Sequence, residues 1–242
     1  MSEPTTLLDV ASRVVMISGA SRGIGRALAE RLAQEGYRLS LGVRRPGEAA
    51  KTLGLDPAQT LFHPFEAADP ASAKPWLAAT LERFGSVDVL INNAGIFRKV
   101  TFEEGEADLD ALFAVNVKAP YRMISLALPH LRRCGHGRIV NIASTDGKRF
   151  RDSSASIGYV MSKHALVALS HAAKFAGWEH GVRVTALCPG AVETELIAGL
   201  PGVAASRLSP NTLGDIVSLL LRLPNTASVA ELVVNTRLES TL

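Results

Sequence analysis

Apolar residues along the chain follow two alternating rhythms. Short β-branched-rich runs fall at 13–18, 38–43, 60–65, 87–91, 138–143, 182–187 and 231–236, and each predicts a strand. Between them the apolar positions move to helical spacing. Ile24, Ala27, Leu28, Leu32 and Ala33 form one stripe, closed by Gly36. Trp76, Leu77 and Leu81 form another, opened by Asp69 and Pro70 as N-cap and first helical residue. Ala165, Leu166 and Leu169 make a third, and 213–223 a fourth. The span 108–131 is also helix-like, but Pro120 and Pro129 require it to be capped, kinked or divided. Strands this apolar cannot leave one face in water. The pattern therefore predicts an α/β fold, a parallel sheet covered by helices on both faces. No long linker and no internal repeat interrupts it, so 1–242 reads as a single domain.

Composition narrows the class. Hydrophobic residues make up 47% and charged residues 20% of 242 positions, ordinary values for a chain with a sizeable core. The net charge of +3 comes from scattered Lys and Arg, which argues against a nucleic-acid surface. Cys134 and Cys188 form no disulfide framework, and neither they nor the dispersed histidines show a metal-binding spacing. The first ten residues hold two acids and no apolar core, and no run approaches a membrane span. The expectation is a cytoplasmic protein without a metal.

The chemistry-bearing stretches lie at the strand ends. Gly19-Ala20-Ser21-Arg22-Gly23-Ile24-Gly25 follows the first strand and opens a helix. Gly19 permits a tight turn; Gly23 and Gly25 remove side chains where backbone approaches a pyrophosphate and helix packs on strand. The helix N-terminus offers N–H groups and partial positive charge to phosphates. A glycine turn without a ligand would look similar, but the placement favours a dinucleotide. The second strand ends in Val43, Arg44 and Arg45 where an acidic residue would select the ribose hydroxyl of NAD. With Arg22 in the loop, the arginines favour a 2′-phosphate, hence NADP(H).

Asn92-Asn93-Ala94-Gly95 ends the fourth strand; alone it reads as a turn. Asn116 lies in an apolar stretch before Pro120, where it holds a kink, an ordered water or a cap. Ser144 ends the fifth strand and by itself is a loop serine. Tyr159 and Lys163 are four apart on one helix face. That pair is common on solvated helices, yet an ammonium beside a phenol brings its pKa toward the working range.

Taken together and in order, Ser18 to Gly25, Asn92 to Gly95, Asn116, Ser144, Tyr159-x-x-x-Lys163 and Pro189-Gly190 resemble the short-chain dehydrogenase/reductase family over essentially the whole chain. The resemblance implies a three-layer Rossmann-type fold with about seven mostly parallel strands, NAD(P) and alcohol/carbonyl redox chemistry on a small molecule. It implies Tyr159 as general acid/base, Lys163 lowering its pKa and holding the nicotinamide ribose, Ser144 polarising the carbonyl, and Asn116 holding a water that links Lys163 to solvent. It implies Gly19, Ser21, Arg22, Gly23, Ile24, Gly25, Arg44, Asn93, Ala94, Gly95, Pro189, Gly190, Val192 and Thr194 around the cofactor, with a lid at about 191–212 and a homo-oligomeric assembly. Departures are Ser18 for a more usual Thr, Glu66-Ala67 for an Asp–Val pair at the adenine, and a 145–156 loop long enough to bulge toward substrate. Arg149, Arg151 and Arg207 are the cations available to an acidic substrate. A non-catalytic NADP-binding regulator, or an epimerase or dehydratase, would keep much of this pattern; the intact Asn116, Ser144, Tyr159 and Lys163 set argues against the former.

Overall fold

The computed structural model describes residues 7–152, 155–197 and 207–236. Its elements are β1 (Val14–Ser18), α1 (Gly23–Gln34), β2 (Arg38–Val43), α2 (Pro46–Leu53), β3 (Thr60–Pro64), α3 (Ala73–Phe84), β4 (Val89–Asn92), α4 (Glu106–Phe113), α5 (Ala119–Arg133), β5 (Arg138–Ile142), α6 (Ile157–Gly177), β6 (Arg183–Pro189), α7 (Pro210–Arg222) and β7 (Glu231–Val234). The strands form a seven-stranded sheet in the order β3-β2-β1-β4-β5-β6-β7, and every pair is parallel. The fold is Rossmann-type.

Alternation along β1 sets the layers, since successive side chains leave a strand on opposite faces. Val15 and Ile17 join Leu28 and Leu32 of α1 and Leu213, Val217 and Leu221 of α7. Met16 joins the other layer, with Trp76 and Leu77 of α3 and Met123, Ala127 and Leu131 of α5. Each such aliphatic side chain contributes about 1.5–3 kcal/mol by leaving water. Gly42 in β2 makes room for the Trp76 ring, whose carbons lie 2.8 Å from where a Cβ would stand.

Two elements differ from the apolar pattern. α2 carries a single buried residue, Ala49, too little to leave a stripe. The span 108–131 is divided: a π-turn over Ala114–Lys118 separates α4 from α5. Pro120 falls in the first turn of α5 and Pro129 inside it. The backbone stays helical through Lys118 and Ala119, and Pro120, which has no N–H to give a helical carbonyl, falls where the π-turn hands over to α5.

The order of the sheet positions the site. After β3 at one edge, the chain returns to pair β4 with β1. The connections leaving β1 and β4 therefore diverge to opposite faces and open a crevice at their carboxyl ends.

Candidate active site

The glycine loop is held from β4. Ser18 Oγ accepts hydrogen bonds from the backbone N–H groups of Asn93 and Ala94, each at 3.0 Å. The Asn93 amide returns the contact, donating Nδ2 to Ser18 O at 2.9 Å and Gly19 O at 3.0 Å. A Cβ on Gly25 would stand 2.3 Å from Gly19 O and 2.4 Å from Asn93 Nδ2, so only glycine lets α1 pack on this loop. Gly19 and Gly23 have φ of 69° and 54°, the left-handed region that glycine enters without strain. No side chain caps α1 at Arg22. Its first-turn N–H groups and positive end are free for an anion.

These residues border a cleft of about 480 Å³. Gly19, Ser21, Arg22, Gly23 and Ile24 line one wall, with Arg44, Glu66 and Ala67 at the end of β2 and after β3. Asn93, Ala94 and Gly95 follow β4, and Pro189, Gly190, Val192 and Thr194 follow from β6. Ser144, Tyr159 and Lys163 close the far end. Of the residues expected to bind cofactor or carry the chemistry, Gly25, Arg45 and Asn116 lie off this lining. Arg45 turns to Glu48 at 3.3 Å, whereas Arg44 is exposed and lines the cleft. Arg22 forms an ion pair with Glu195 between the glycine loop and the segment after β6. An uncapped helix terminus, a side-chain-free cradle and an outlying arginine fit a dinucleotide.

At the reacting end, Ser156 caps α6 by accepting from Tyr159 N at 3.3 Å. Tyr159 thus occupies the first turn and Lys163 the next, with Nζ 5.6 Å from the phenol ring centroid. Lys163 is buried and donates Nζ to Ile142 O at 2.9 Å. Burial pulls its ammonium down to about 8, against the opposing pull of Cys188 and Asp146. The Tyr159 phenol is pushed above its ordinary value, first by burial and then by the Asp146 carboxylate, with a hydrogen bond from Ser144 acting the other way. Lys163 is not among the groups that move the Tyr159 phenol, its Nζ being bonded to Ile142 O, and burial sets the direction. Ser144 Oγ accepts from Asp146 N at 3.1 Å, and its own proton meets the Tyr159 phenol oxygen.

Asn116 sits in the π-turn, where its amide is largely spent within the protein. Oδ1 accepts from Ile96 N at 2.9 Å, and Nδ2 donates to Ile96 O at 3.0 Å and Ser162 Oγ at 3.1 Å. It clamps the loop after β4 to α6. A Cβ on Gly95 would lie 3.4 Å from Asn116 Oδ1 and 3.8 Å from Lys163 Nζ, so the bare glycine leaves a gap between the two.

Several features escaped the sequence. Ile96, Phe97, Arg98, Glu195 and Leu196 also line the cleft; all but the anticipated lid residue Leu196 lie in loops without periodicity. Asn92 donates to Asn141 at 2.8 Å and Asn141 to Ser170 at 2.7 Å, a buried polar chain joining β4, β5 and α6. The described part of the 145–156 loop does not bulge into the cleft, since none of its residues lines it. Gly147 instead packs on the Lys163 backbone, and Lys148 pairs with Glu231 on β7. Arg149, Arg151 and Arg207 do not line the cleft either; Arg151 pairs with Asp152 at 3.2 Å. Val192 and Leu208, both within the range expected for a lid, form a bridge, and α7 begins inside that range, at Pro210. Leu200 and Val203 lie outside the described residues.

Far along the sequence from these, Asp88, Cys134 and His136 bring their potential ligand atoms within 4.8 Å of one another. Arg13 and Arg138 act on the same imidazole, and their charge opposes a cation there. No helix among the described residues is long and apolar enough to cross a membrane.

The comparisons agree with this geometry. A family model described as short chain dehydrogenase matches residues 13–201. An agropine synthesis reductase of Rhizobium rhizogenes is 39% identical over 90% of this chain and 51% of its own. The chain thus spans about half the length of that relative and of a second agropine synthesis reductase. Levodione reductase of Leifsonia aquatica is 36% identical over 81% of this chain and 74% of its own. Among solved structures, a 3-ketoacyl-(acyl-carrier-protein) reductase from Brucella melitensis complexed with NADH matches with a TM-score of 0.85 at 25% identity, covering 94% and 97% of the two chains. An alcohol dehydrogenase from Thermococcus sibiricus complexed with 5-hydroxy-NADP matches at 0.80 with 32% identity, covering 92% and 95%. The chain belongs to the short-chain dehydrogenase/reductase family, which binds a nicotinamide cofactor.

Proposed function

We propose that the protein is an NADP(H)-dependent oxidoreductase interconverting a carbonyl and a secondary alcohol on a small molecule. The observation that carries this reading is the meeting of Ser144, Tyr159 and Lys163 in the same cleft as the uncapped N-terminus of α1. Its relatives support the reaction class, being reductases and a D-beta-hydroxybutyrate dehydrogenase of Rhizobium meliloti.

Bound nicotinamide supplies or accepts the hydride. The chain supplies position and the proton. Ser144, whose hydroxyl meets the Tyr159 phenol, turns its O–H toward the substrate oxygen when substrate enters and polarises the carbonyl by a hydrogen bond. Tyr159 stays protonated at neutral pH because burial raises its pKa, so it is poised as the acid for reduction. Lys163 is a cation below about pH 8 and stabilises the tyrosinate as it forms. A water in the gap beside Gly95, reaching the remaining lone pair of Asn116 Oδ1, returns the proton through Lys163. The first-turn N–H groups of α1 hold the pyrophosphate, and Arg44 with Arg22 favours the 2′-phosphate of NADP. A cytoplasmic homo-oligomer completes the reading, on the family resemblance.

The test is Tyr159→Phe. NADPH oxidation with a panel of ketones, keto acids and aldehydes should fall by roughly 10²–10⁴, while NADPH binding by fluorescence titration persists. Turnover that survives in the variant, or none in the folded, cofactor-bound wild type, would refute the reading.

A further inference from the structure

The charged residues that line the cleft divide by position. Arg22, Arg44, Glu66 and Glu195 flank the glycine loop or follow strands at the dinucleotide end, and Lys163 belongs to the reacting group. Arg98 remains. It follows Phe97, whose ring centroid lies 5.2 Å from that of Tyr159, and so stands on the substrate side.

The Arg98 backbone is fastened to the same helix turn that carries Tyr159. Ser156, the cap of α6, donates Oγ to Arg98 O at 2.7 Å and accepts from Val100 N at 3.1 Å. Ile157 N donates to Val100 O at 3.1 Å. The backbone that carries Arg98 and the helix turn that carries Tyr159 are thus one unit, both side chains line the cleft, and a substrate touching both is oriented without reordering the loop.

The guanidinium is only partly committed. Nε faces Asp108 Oδ1 at 3.4 Å, with both side chains about half exposed at 53% and 47%, and such a pair is weak and screened. One terminal nitrogen donates to Phe97 O at 3.2 Å. No contact occupies the other terminal nitrogen among the described residues. A planar fork with an open edge matches a carboxylate.

We infer that Arg98 is the specificity residue of the substrate end, and that the preferred substrate is a carbonyl compound bearing a carboxylate, its reduced form a hydroxy acid. This rests on the oxidoreductase reading above and narrows its substrate class. Arg98 touches neither the transferred hydride nor the proton; it holds the anionic end while Ser144 and Tyr159 address the carbonyl.

The experiment compares kcat/KM for short keto acids with their methyl esters and with neutral ketones of the same length, in the full chain with NADPH. The wild type should prefer the acid over its ester, and Arg98→Gln should cut that acid-to-ester ratio by about 30-fold, the loss falling on KM. Asp108→Asn, which releases the competing carboxylate, should raise the ratio. A saturated acid such as butyrate should inhibit the wild type competitively against substrate, butyramide much less, and Arg98→Gln should remove the difference. NADPH titration serves as the folding check for both variants. Equal use of acid and ester by the wild type, or an Arg98→Gln loss shared equally between them, overturns the assignment while leaving the oxidoreductase reading intact. Absence of turnover with every compound overturns both.

Discussion

Removing the Asn93 amide tests how the cofactor loop is built. Its Nδ2 donates at 2.9 and 3.0 Å to the carbonyls of Ser18 and Gly19, the two residues at which β1 becomes the glycine loop. Asn93→Ala deletes both bonds and leaves two part-buried carbonyls without this donor. At about 1 kcal/mol for each bond, with an added cost for the stranded acceptors, the variant should lose about 2–3 kcal/mol. For a chain of this length that is a fall of roughly 4–12 °C in Tm. The backbone contacts of Asn93 and Ala94 with Ser18 Oγ do not depend on the side chain, so the sheet should survive and the loop loosen. NADPH affinity, read by fluorescence titration, should drop by about tenfold as α1's first turn loses its fixed aim. Asn93→Asp should be worse at neutral pH, since a carboxylate oxygen then faces two carbonyl oxygens, and should recover in part on mild acidification as the protonated acid regains a donor. Retention of Tm within about a degree and of NADPH affinity within about twofold in Asn93→Ala would show that the amide does not hold the loop, and would refute this reasoning.

Further outcomes follow from the same geometry. Burial depresses the Lys163 ammonium to about 8 from an unfolded value near 10.4, so this group's contribution to stability is lost as pH falls through 8 and is recovered as pH rises toward the unfolded value. The stability of Lys163→Met relative to wild type should accordingly rise as pH falls from about 10 to 7, by roughly 2–3 kcal/mol in urea titrations; a difference independent of pH would contradict it. Arg44→Ala should raise KM for NADPH about tenfold and leave NADH nearly unchanged, measured as a ratio of kcat/KM; equal effects on both cofactors would remove Arg44 from the 2′-phosphate. Gly25→Ala would drive a methyl against Gly19 O and Asn93 Nδ2 and should weaken NADPH binding at least tenfold while lowering Tm; normal binding would mean the loop tolerates a shift its hydrogen bonds do not suggest.

Much of the fold was legible before any coordinates. Each of the seven predicted apolar runs holds a strand, with boundaries moved by a few residues, because strands buried on both faces are marked by composition alone. Order along the chain likewise placed Ser144, Tyr159 and Lys163, since strand ends and a four-residue helical spacing are local properties. The dividing of 108–131 was half legible: Pro120 required an interruption, but the π-turn depends on Asn116 finding Ile96 and Ser162 in other elements.

What the tertiary structure decided is nonlocal. The pairing of β1 with β4 created the crevice, and no local pattern chooses a strand's neighbour. Desolvation set the direction of the Tyr159 and Lys163 pKa values, which spacing along a helix does not reveal, because burial is a property of the packed surroundings. Arg98 lines the cleft where Arg149, Arg151 and Arg207 do not, since the 145–147 turn packs on Lys163 and Lys148 is drawn to Glu231 on β7. The sequence by itself determined which residues sit at strand ends and helix starts, because backbone preference and apolar period act over a few neighbours. Which of those ends meet, which charges are buried, and which arginines line the cleft were decided only when distant elements packed against one another.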